Sequence, residues 1–119
     1  MNQRQRTPDQ VGHAIYARTA AGGTEQIQTQ VQAARAAIAR DGRGGCAAIK
    51  EYIDVNVAGG SDGPGPGLYS LLVDAASGLF DVVVVTDVAR LSRSAARLRE
   101  ILTAIDRGGT RVVCVEDAR

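Results

Sequence analysis

A run of four consecutive valines within residues 81–86 (DVVVVT) constrains the fold of this chain more than any other feature. An unbroken β-branched segment suits a strand that is covered on both faces, as the strands of parallel sheets are. We therefore expect this strand at the centre of a sheet. Neighbouring parallel strands need a long crossover connection, usually a helix, so the rest of the chain must supply helices between its strands.

The remaining segments alternate as this requirement demands. Apolar runs predict further strands over residues 12–17, 46–55 and 111–116. Apolar residues spaced by three and four predict helices over 25–40, 68–77 and 94–107, with Thr24 as the first N-cap and Gly42, Gly78 and Gly108 just past the three ends. The stretch GGSDGPGPG over 59–67 predicts a flexible loop, because its glycines and prolines favour neither a helix nor a strand ladder.

This alternation predicts an α/β fold with three layers (α/β/α) around a mostly parallel sheet of four to five strands. The 119 residues suffice for one compact core, so we expect a single domain over residues 12–119. Residues 1–11 are polar and predict a disordered lead-in without the apolar run of a secretory signal. No stretch is apolar for long enough to span a membrane, and we expect a cytoplasmic protein.

Composition narrows the function classes. Fourteen Lys and Arg against 13 Asp and Glu give a net charge of +1, so no chain-wide field draws the protein onto DNA phosphates. Aromatic residues make up 3% of the chain, too few to stack a run of single-stranded bases. Cys46, Cys114 and His13 stand apart, without metal-ligand spacing, so we expect no metal, no cofactor and two reduced, structural cysteines.

Arginines gather where a parallel sheet places its ligands, beyond the carboxyl ends of the strands. Arg18 follows the first predicted strand, and Arg90 and Arg93 follow the valine strand, with Arg97 continuing their side of the next helix. Guanidinium groups offer paired donors that suit phosphate. The alternative from composition is that Arg93, Arg97 and Arg99 form a solvated helix face paired with Glu100 and Asp106.

Five strings in this order resemble the catalytic domain of the serine recombinases of the resolvase/invertase type. They are YAR at 16–18, QIQTQVQAAR at 26–35, YIDVNVAGG at 52–60, ARLSR at 89–93 and VVCVED at 112–117. The resemblance implies a role in DNA strand exchange, in which a serine attacks a DNA phosphodiester while arginines neutralise the phosphate oxygens. It also implies catalytic roles for Arg18, Arg90 and Arg93, and an anion or DNA contact for Tyr16 and Gln30. Because Arg97 continues the side of the helix that carries Arg93, we expect it to join this anion or DNA contact.

The chain departs from the family pattern at four positions. The nucleophilic serine of the family is replaced by Ala20, and a methyl group has no lone pair with which to attack phosphorus. The serine after strand two, the arginine ahead of the second helix and the aspartate of the usual DRLSR string are replaced by Ala58, Gly65 and Ala89. We therefore expect a domain that is catalytically inactive and acts through protein contacts.

Two alternatives stay open. The chain could be an active recombinase component whose nucleophile comes from another residue, such as Thr19, Thr24 or Ser92, or from a partner chain. It could instead hold phosphate or a nucleic-acid backbone without chemistry, in a pocket formed by Arg18, Arg90 and Arg93. Self-association, a weak DNA backbone contact and a separate recombinase or DNA-binding partner are the interactions we consider. Because the chain stops at Arg119, short of the long helix and DNA-binding domain of active family members, we do not expect stable sequence-specific DNA binding.

Overall fold

A computed structural model describes residues 12–19, 23–41, 49–55 and 65–118 of the chain. The described part contains four strands and three α-helices that alternate as predicted. The strands are β1 (His13–Arg18), β2 (Ile49–Asp54), β3 (Val82–Val85) and β4 (Arg111–Cys114). The α-helices are α1 (Thr24–Asp41), α2 (Pro66–Ala76) and α3 (Ala95–Arg107), and two short 3₁₀ turns follow β3 and β4 at Val88–Arg90 and Val115–Ala118.

All four strands are parallel and lie in the order β2-β1-β3-β4. The valine strand β3 is internal and buried along its whole length, which confirms the prediction made from its β-branched run. The three-layer α/β/α fold is also confirmed.

The core lies on both faces of the sheet, because alternate side chains of each strand point to opposite faces. Val83 and Val85 pack on the α2 and α3 side, where Leu71 and Ile105 are fully buried. On the other face, Val82 and Val84 pack against α1. The unbroken valine run therefore serves two hydrophobic layers at once.

Helix α3 follows its sequence pattern closely. The Ser94 hydroxyl accepts a hydrogen bond from the Arg97 backbone N–H at 3.3 Å and caps the helix N-terminus. At the other end the chain leaves the helix at Gly108, and Gly109 adopts a φ of 83°, a left-handed conformation that glycine reaches without steric cost.

The predicted loop was wrong at its end. Helix α2 begins at Pro66, so Pro66 and Gly67 are helical rather than part of a flexible loop. Proline fits the first helical position because its missing N–H has no partner there in any helix. The preceding residues 59–64 of the predicted loop lie outside the described residues.

Two other boundaries differ from their predictions. Strand β4 ends at Cys114, two residues before the predicted end, because the chain turns into a 3₁₀ conformation at Val115. Helix α1 includes Thr24 as its first residue rather than following it as a cap. The predicted residues 46–48 of strand two, with Cys46, and the helix-ending Gly42 lie outside the described residues.

Candidate functional site

The strand order fixes where a crevice forms. From β1 the chain crosses to β2 on one side and later to β3 on the other side, so the crossovers leave in opposite directions between β1 and β3. In an open parallel sheet, this switch point at the carboxyl ends of the strands is where ligands bind. Arg18 ends β1, and the segment with Ala89 and Arg90 follows β3, so the two arginine-bearing segments meet there as predicted.

The Arg18 guanidinium ties these two segments together. Its Nε donates a hydrogen bond to the Arg90 carbonyl oxygen at 2.7 Å, and its Nη2 donates to the Ala89 carbonyl oxygen. The whole residue is 4% exposed. Since two of the donors in the guanidinium fork point at backbone carbonyls, the fork is engaged within the protein rather than presented to solvent.

The surroundings of Arg18 oppose its positive charge. Burial lowers the pKa of Arg18 most, and the nearby charges of Arg90 and Arg93 lower it further, while Tyr16 and Asp54 act in the opposite direction. A guanidinium nevertheless stays protonated at neutral pH. The two carbonyl oxygens therefore accept charge-assisted hydrogen bonds, which are stronger than neutral ones.

The Arg90 side chain also hydrogen-bonds to the Arg18 backbone. Its Nη1 donates to the Arg18 carbonyl oxygen at 3.3 Å. Its Nε has no hydrogen-bond partner among the described residues and lies 3.8 Å from Asp87 Oδ2, which is an ion pair rather than a hydrogen bond. The Asp87 side chain also caps the 3₁₀ turn by accepting from the Ala89 backbone N–H at 2.8 Å.

Gln30 on α1 closes the site from the opposite side. Its Oε1 accepts from the Arg18 backbone N–H and its Nε2 donates to the Arg18 carbonyl oxygen, each at 3.0 Å. The residue is 6% exposed. The amide thus satisfies the backbone at the end of β1, where a buried unpaired group would be costly.

A cavity of about 340 Å³ opens beside this cluster. Its lining is polar and carries one cation, and it is formed by Thr19, Gln26, Thr29, Gln30 and Arg90. The hydroxyl, amide and guanidinium groups of this lining suit a small anion or another polar ligand.

The other predicted arginines lie elsewhere. Arg93 is exposed, and its charge lowers the pKa of Arg18. Arg97 lines a second cavity of about 180 Å³ between α2 and α3, together with Glu100. The structure therefore brings Arg18 and Arg90 together and leaves Arg97 outside their cluster.

Tyr16 belongs to a different, fully buried arrangement. It is 1% exposed, and its hydroxyl donates to Asp54 Oδ2 at 2.6 Å. Burial raises the pKa of Tyr16 above its ordinary value, and the hydrogen bond to Asp54 raises it further. Its hydroxyl hydrogen is therefore engaged by Asp54, not directed at the cavity.

Asp54 at the end of β2 is a residue of this region that the sequence analysis did not identify. Besides Tyr16, its carboxylate accepts from the backbone N–H groups of Gly67 at 2.7 Å and Leu68 at 3.0 Å. The N-terminus of α2, where an external anion would be attracted, is thus occupied by the chain's own carboxylate. The sequence signal was the acidic residue at a strand end, but its partners are 13 and more residues away.

Two glycines make this contact sterically possible. A Cβ on Gly65 would lie 2.8 Å from the Asp54 carboxyl group, and one on Gly67 would lie 2.7 Å from the Ile53 carbonyl oxygen. Both distances are shorter than real Cβ atoms tolerate. Gly65, which stands where the family resemblance predicts an arginine, therefore serves the close approach of α2 to β2.

The hydroxyl candidates are dispersed. Thr19 is 3% exposed and lines the larger cavity, whereas Ser92 is 4% exposed, accepts from the Ser94 backbone N–H and lines the smaller one. Thr24 lies exposed at the start of α1. Ala20 and Ala58 lie outside the described residues.

The described residues form neither a metal-binding cluster nor a membrane-spanning helix. Within residues 12–19, 23–41, 49–55 and 65–118, no three His, Cys, Asp or Glu side chains come together as a metal site would require. None of the helices in these ranges has the length and apolar character needed to cross a membrane.

Comparison with known proteins gives the family. Residues 13–119 match the family model described as "Resolvase, N terminal domain". The chain therefore belongs to the resolvase family and is a serine recombinase catalytic-type domain. No curated protein matches it.

Solved structures share the fold. A resolvase family site-specific recombinase from Streptococcus pneumoniae superposes with a TM-score of 0.72 at 23% identity, covering 92% of this chain and 75% of that one. The C-terminal catalytic domain of ISC1926 TnpA, an IS607-like serine recombinase, gives 0.71 at 22% identity, covering 90% and 71%. The N-terminal catalytic domain of TP901-1 integrase gives 0.70 at 22% identity, covering 89% and 78%. At these identities the likeness concerns the fold.

Proposed function

We propose that this recombinase-type domain does not cleave DNA and acts instead through protein contacts. The observation that carries the proposal is the engagement of the Arg18 guanidinium by the Ala89 and Arg90 carbonyl oxygens. An arginine that stabilises a phosphoryl transition state must direct its donors at the reacting phosphate. Here two of them hold the fold together.

The sequence supports the same conclusion independently. Position 20 carries a methyl group where the family resemblance places the attacking hydroxyl. Removing a nucleophile from a catalytic unit costs about a millionfold in rate. Of the hydroxyls considered as replacements, only Thr19 borders the cavity beside Arg90, and it is 3% exposed.

The test is incubation of the full chain with supercoiled plasmid DNA, followed by denaturation and a search for covalent protein–DNA adducts. The variant Ala20→Ser is treated in parallel. We expect no adduct from either protein, because restoring the hydroxyl leaves Arg18 engaged. An adduct from the unaltered chain would overturn the proposal. An adduct from Ala20→Ser alone would show that the missing nucleophile is the sole defect and that Arg18 is available after all.

A second candidate function is non-covalent anion binding in the larger cavity. The observation that favours it is the Arg90 guanidinium, which lines that cavity together with the polar side chains of Thr19 and Gln30. This anion site would depend on Arg90 alone, and not on the three arginines (Arg18, Arg90 and Arg93) expected from the sequence. Titration with inorganic phosphate at low salt tests it: binding lost in Arg90→Ala and retained in Arg99→Ala supports the site, and no binding by the unaltered chain removes it.

A further inference from the structure

The smaller cavity, of about 180 Å³, lies between α2 and α3 and shares no lining residue with the larger one. Its deepest residues are apolar: Leu68 of α2 and Leu91 after the 3₁₀ turn are each 3% exposed. Leu72, Ile101 and Ala104 complete the apolar lining. An apolar cavity of about 150 Å³ can already hold a benzene ring, so this one has room for one large apolar side chain.

Two ionic side chains of opposite sign also line this cavity. Arg97 and Glu100 lie three residues apart on α3, so their side chains start from the same side of the helix. Within the described ranges, neither side chain makes a hydrogen bond or an ion pair with another residue. Because Glu100 is exposed and Arg97 is half-buried, the charges lie towards solvent, whereas the apolar interior is buried.

This pattern of polarity defines the chemistry of a ligand. A purely apolar molecule would fill the interior and leave both ionic groups without a partner. A fatty acid or an alkylamine would pair with one ionic group and bring a like charge close to the other. An α-amino acid with a large apolar side chain fits all parts of the lining, because it carries a carboxylate, an ammonium group and an apolar chain on one carbon.

We propose that the smaller cavity binds an α-amino acid whose side chain has the size of leucine or phenylalanine. Arg97 binds the carboxylate, Glu100 binds the ammonium group, and the apolar side chain enters between α2 and α3. A ligand held in this way contacts both helices in the folded state alone, so it stabilises the fold. This site goes beyond the proposed role in protein contacts and does not depend on it.

The experiment titrates the full chain with L-leucine and L-phenylalanine and follows the backbone N–H signals by NMR. Because ion pairs near solvent are weak, we expect a dissociation constant on the order of 1 mM. Three analogues separate the contacts: leucinamide lacks the carboxylate, N-acetyl-leucine lacks the ammonium group, and glycine lacks the side chain. Each should bind at least about fivefold more weakly than leucine.

Variants place the ligand in the cavity. Arg97→Ala should weaken leucine binding at least about fivefold and leave leucinamide binding nearly unchanged, since leucinamide has no carboxylate for Arg97. Glu100→Ala should weaken leucine binding in the same way and leave N-acetyl-leucine binding nearly unchanged. The control Arg99→Ala removes an exposed arginine of α3 outside the lining and should change no affinity.

A further variant blocks the cavity without touching its charges. Ala104 is exposed and lines the cavity, so Ala104→Leu should fill the space and abolish leucine binding while the circular dichroism spectrum stays the same. No saturable response to leucine or phenylalanine would overturn the inference, and so would equal affinities for leucine and its two blocked analogues. Tighter binding of octanoate that persists in Glu100→Ala would also overturn it and identify an anionic amphiphile as the occupant. The adduct assay tests DNA cleavage separately, so none of these results bears on that proposal.

Discussion

Two clusters at the carboxyl ends of the strands use neighbouring residues of β1 in opposite ways. The buried cluster around Tyr16 and Asp54 is closed: Tyr16 and Asp54 are 1% and 2% exposed, and the carboxylate accepts three hydrogen bonds. The open cluster around Arg18 and Arg90 borders a cavity of about 340 Å³ and leaves Arg90 Nε without a hydrogen-bond partner among the described residues. The two clusters therefore differ in what surrounds them: the carboxylate of Asp54 is held by partners within the protein, whereas Arg90 lies at a cavity with a polar lining.

The largest effect should come from removing the carboxylate of the closed cluster. Asp54→Ala leaves the buried Tyr16 hydroxyl and the Gly67 and Leu68 amides without their acceptor. At about 1–3 kcal/mol for each such group, with partial relief by water, we expect a loss of about 3–5 kcal/mol in the free energy of unfolding. Urea denaturation measures it. The control Asp87→Ala removes a half-buried cap and its 3.8 Å ion pair with Arg90, and it should cost about 1 kcal/mol. Equal losses in both variants would contradict the closed arrangement.

We expect a smaller loss of stability when the Arg18 hydrogen bonds between β1 and the segment after β3 are removed. Arg18→Ala removes two charge-assisted hydrogen bonds and should destabilise the fold by about 2–3 kcal/mol. Arg18→Lys keeps the charge but not the planar fork, so it should recover only part of this loss. Full stability in Arg18→Ala would mean that the guanidinium is a ligand-binding group and not a structural one.

Alkaline pH should lower the free energy of unfolding, because the closed cluster contains the buried phenol of Tyr16. Burial is the main cause that raises the pKa of Tyr16 and of Tyr52 above the ordinary value of 10.0. The hydrogen bond to Asp54 raises the pKa of Tyr16 further, and the hydrogen bond to Asp74 does the same for Tyr52. Below pH 10.0 both tyrosines are protonated in the folded and the unfolded protein, and their full contribution to the free energy of unfolding is present. Above pH 10.0 the tyrosines of the unfolded protein ionise first, which favours the unfolded state and lowers the free energy of unfolding. Each should cost about 1.4 kcal/mol per pH unit above that value. Unfolding curves between pH 9 and about 11.5 test the slope. Tyr16→Phe should remove its share, and an unchanged slope in that variant would contradict the assignment.

The smallest effect concerns the close approach of α2 to Asp54. Gly67→Ala introduces a Cβ 2.7 Å from the Ile53 carbonyl oxygen, which forces a backbone shift. Because alanine also favours the helix, we expect a net destabilisation of about 1–2 kcal/mol. Gly23→Ala meets no atom within 4 Å and should change stability by less than about 0.5 kcal/mol. Thermal unfolding of the two variants compares them, and a stabilised Gly67→Ala would show that α2 sits further from β2.

The contrast between the clusters also separates what the sequence could predict from what it could not. Local patterns suffice for the valine strand and for the Ser94 cap, since each depends on residues a few positions apart. The same holds for the expectation that Arg18 and Arg90 meet, which follows from strand ends in a parallel sheet. What each side chain touches there depends on partners far along the chain. The acceptors of Arg18 lie 71 and 72 residues away, and Asp54 finds Tyr16 at a separation of 38. No short-range pattern encodes these distant partners.

Our proposal of a domain that does not cleave DNA depends on Arg18 being a structural residue and not a phosphate ligand. The most direct measurement follows the Arg18 Nε–H signal in ¹⁵N NMR spectra, assigned with Arg18→Lys, while the chain is titrated with a short DNA duplex at low salt. We predict a slowly exchanging signal that keeps its position throughout, even where the Arg90 signal moves. A signal of Arg18 that exchanges rapidly with water and shifts on addition of DNA would contradict the account.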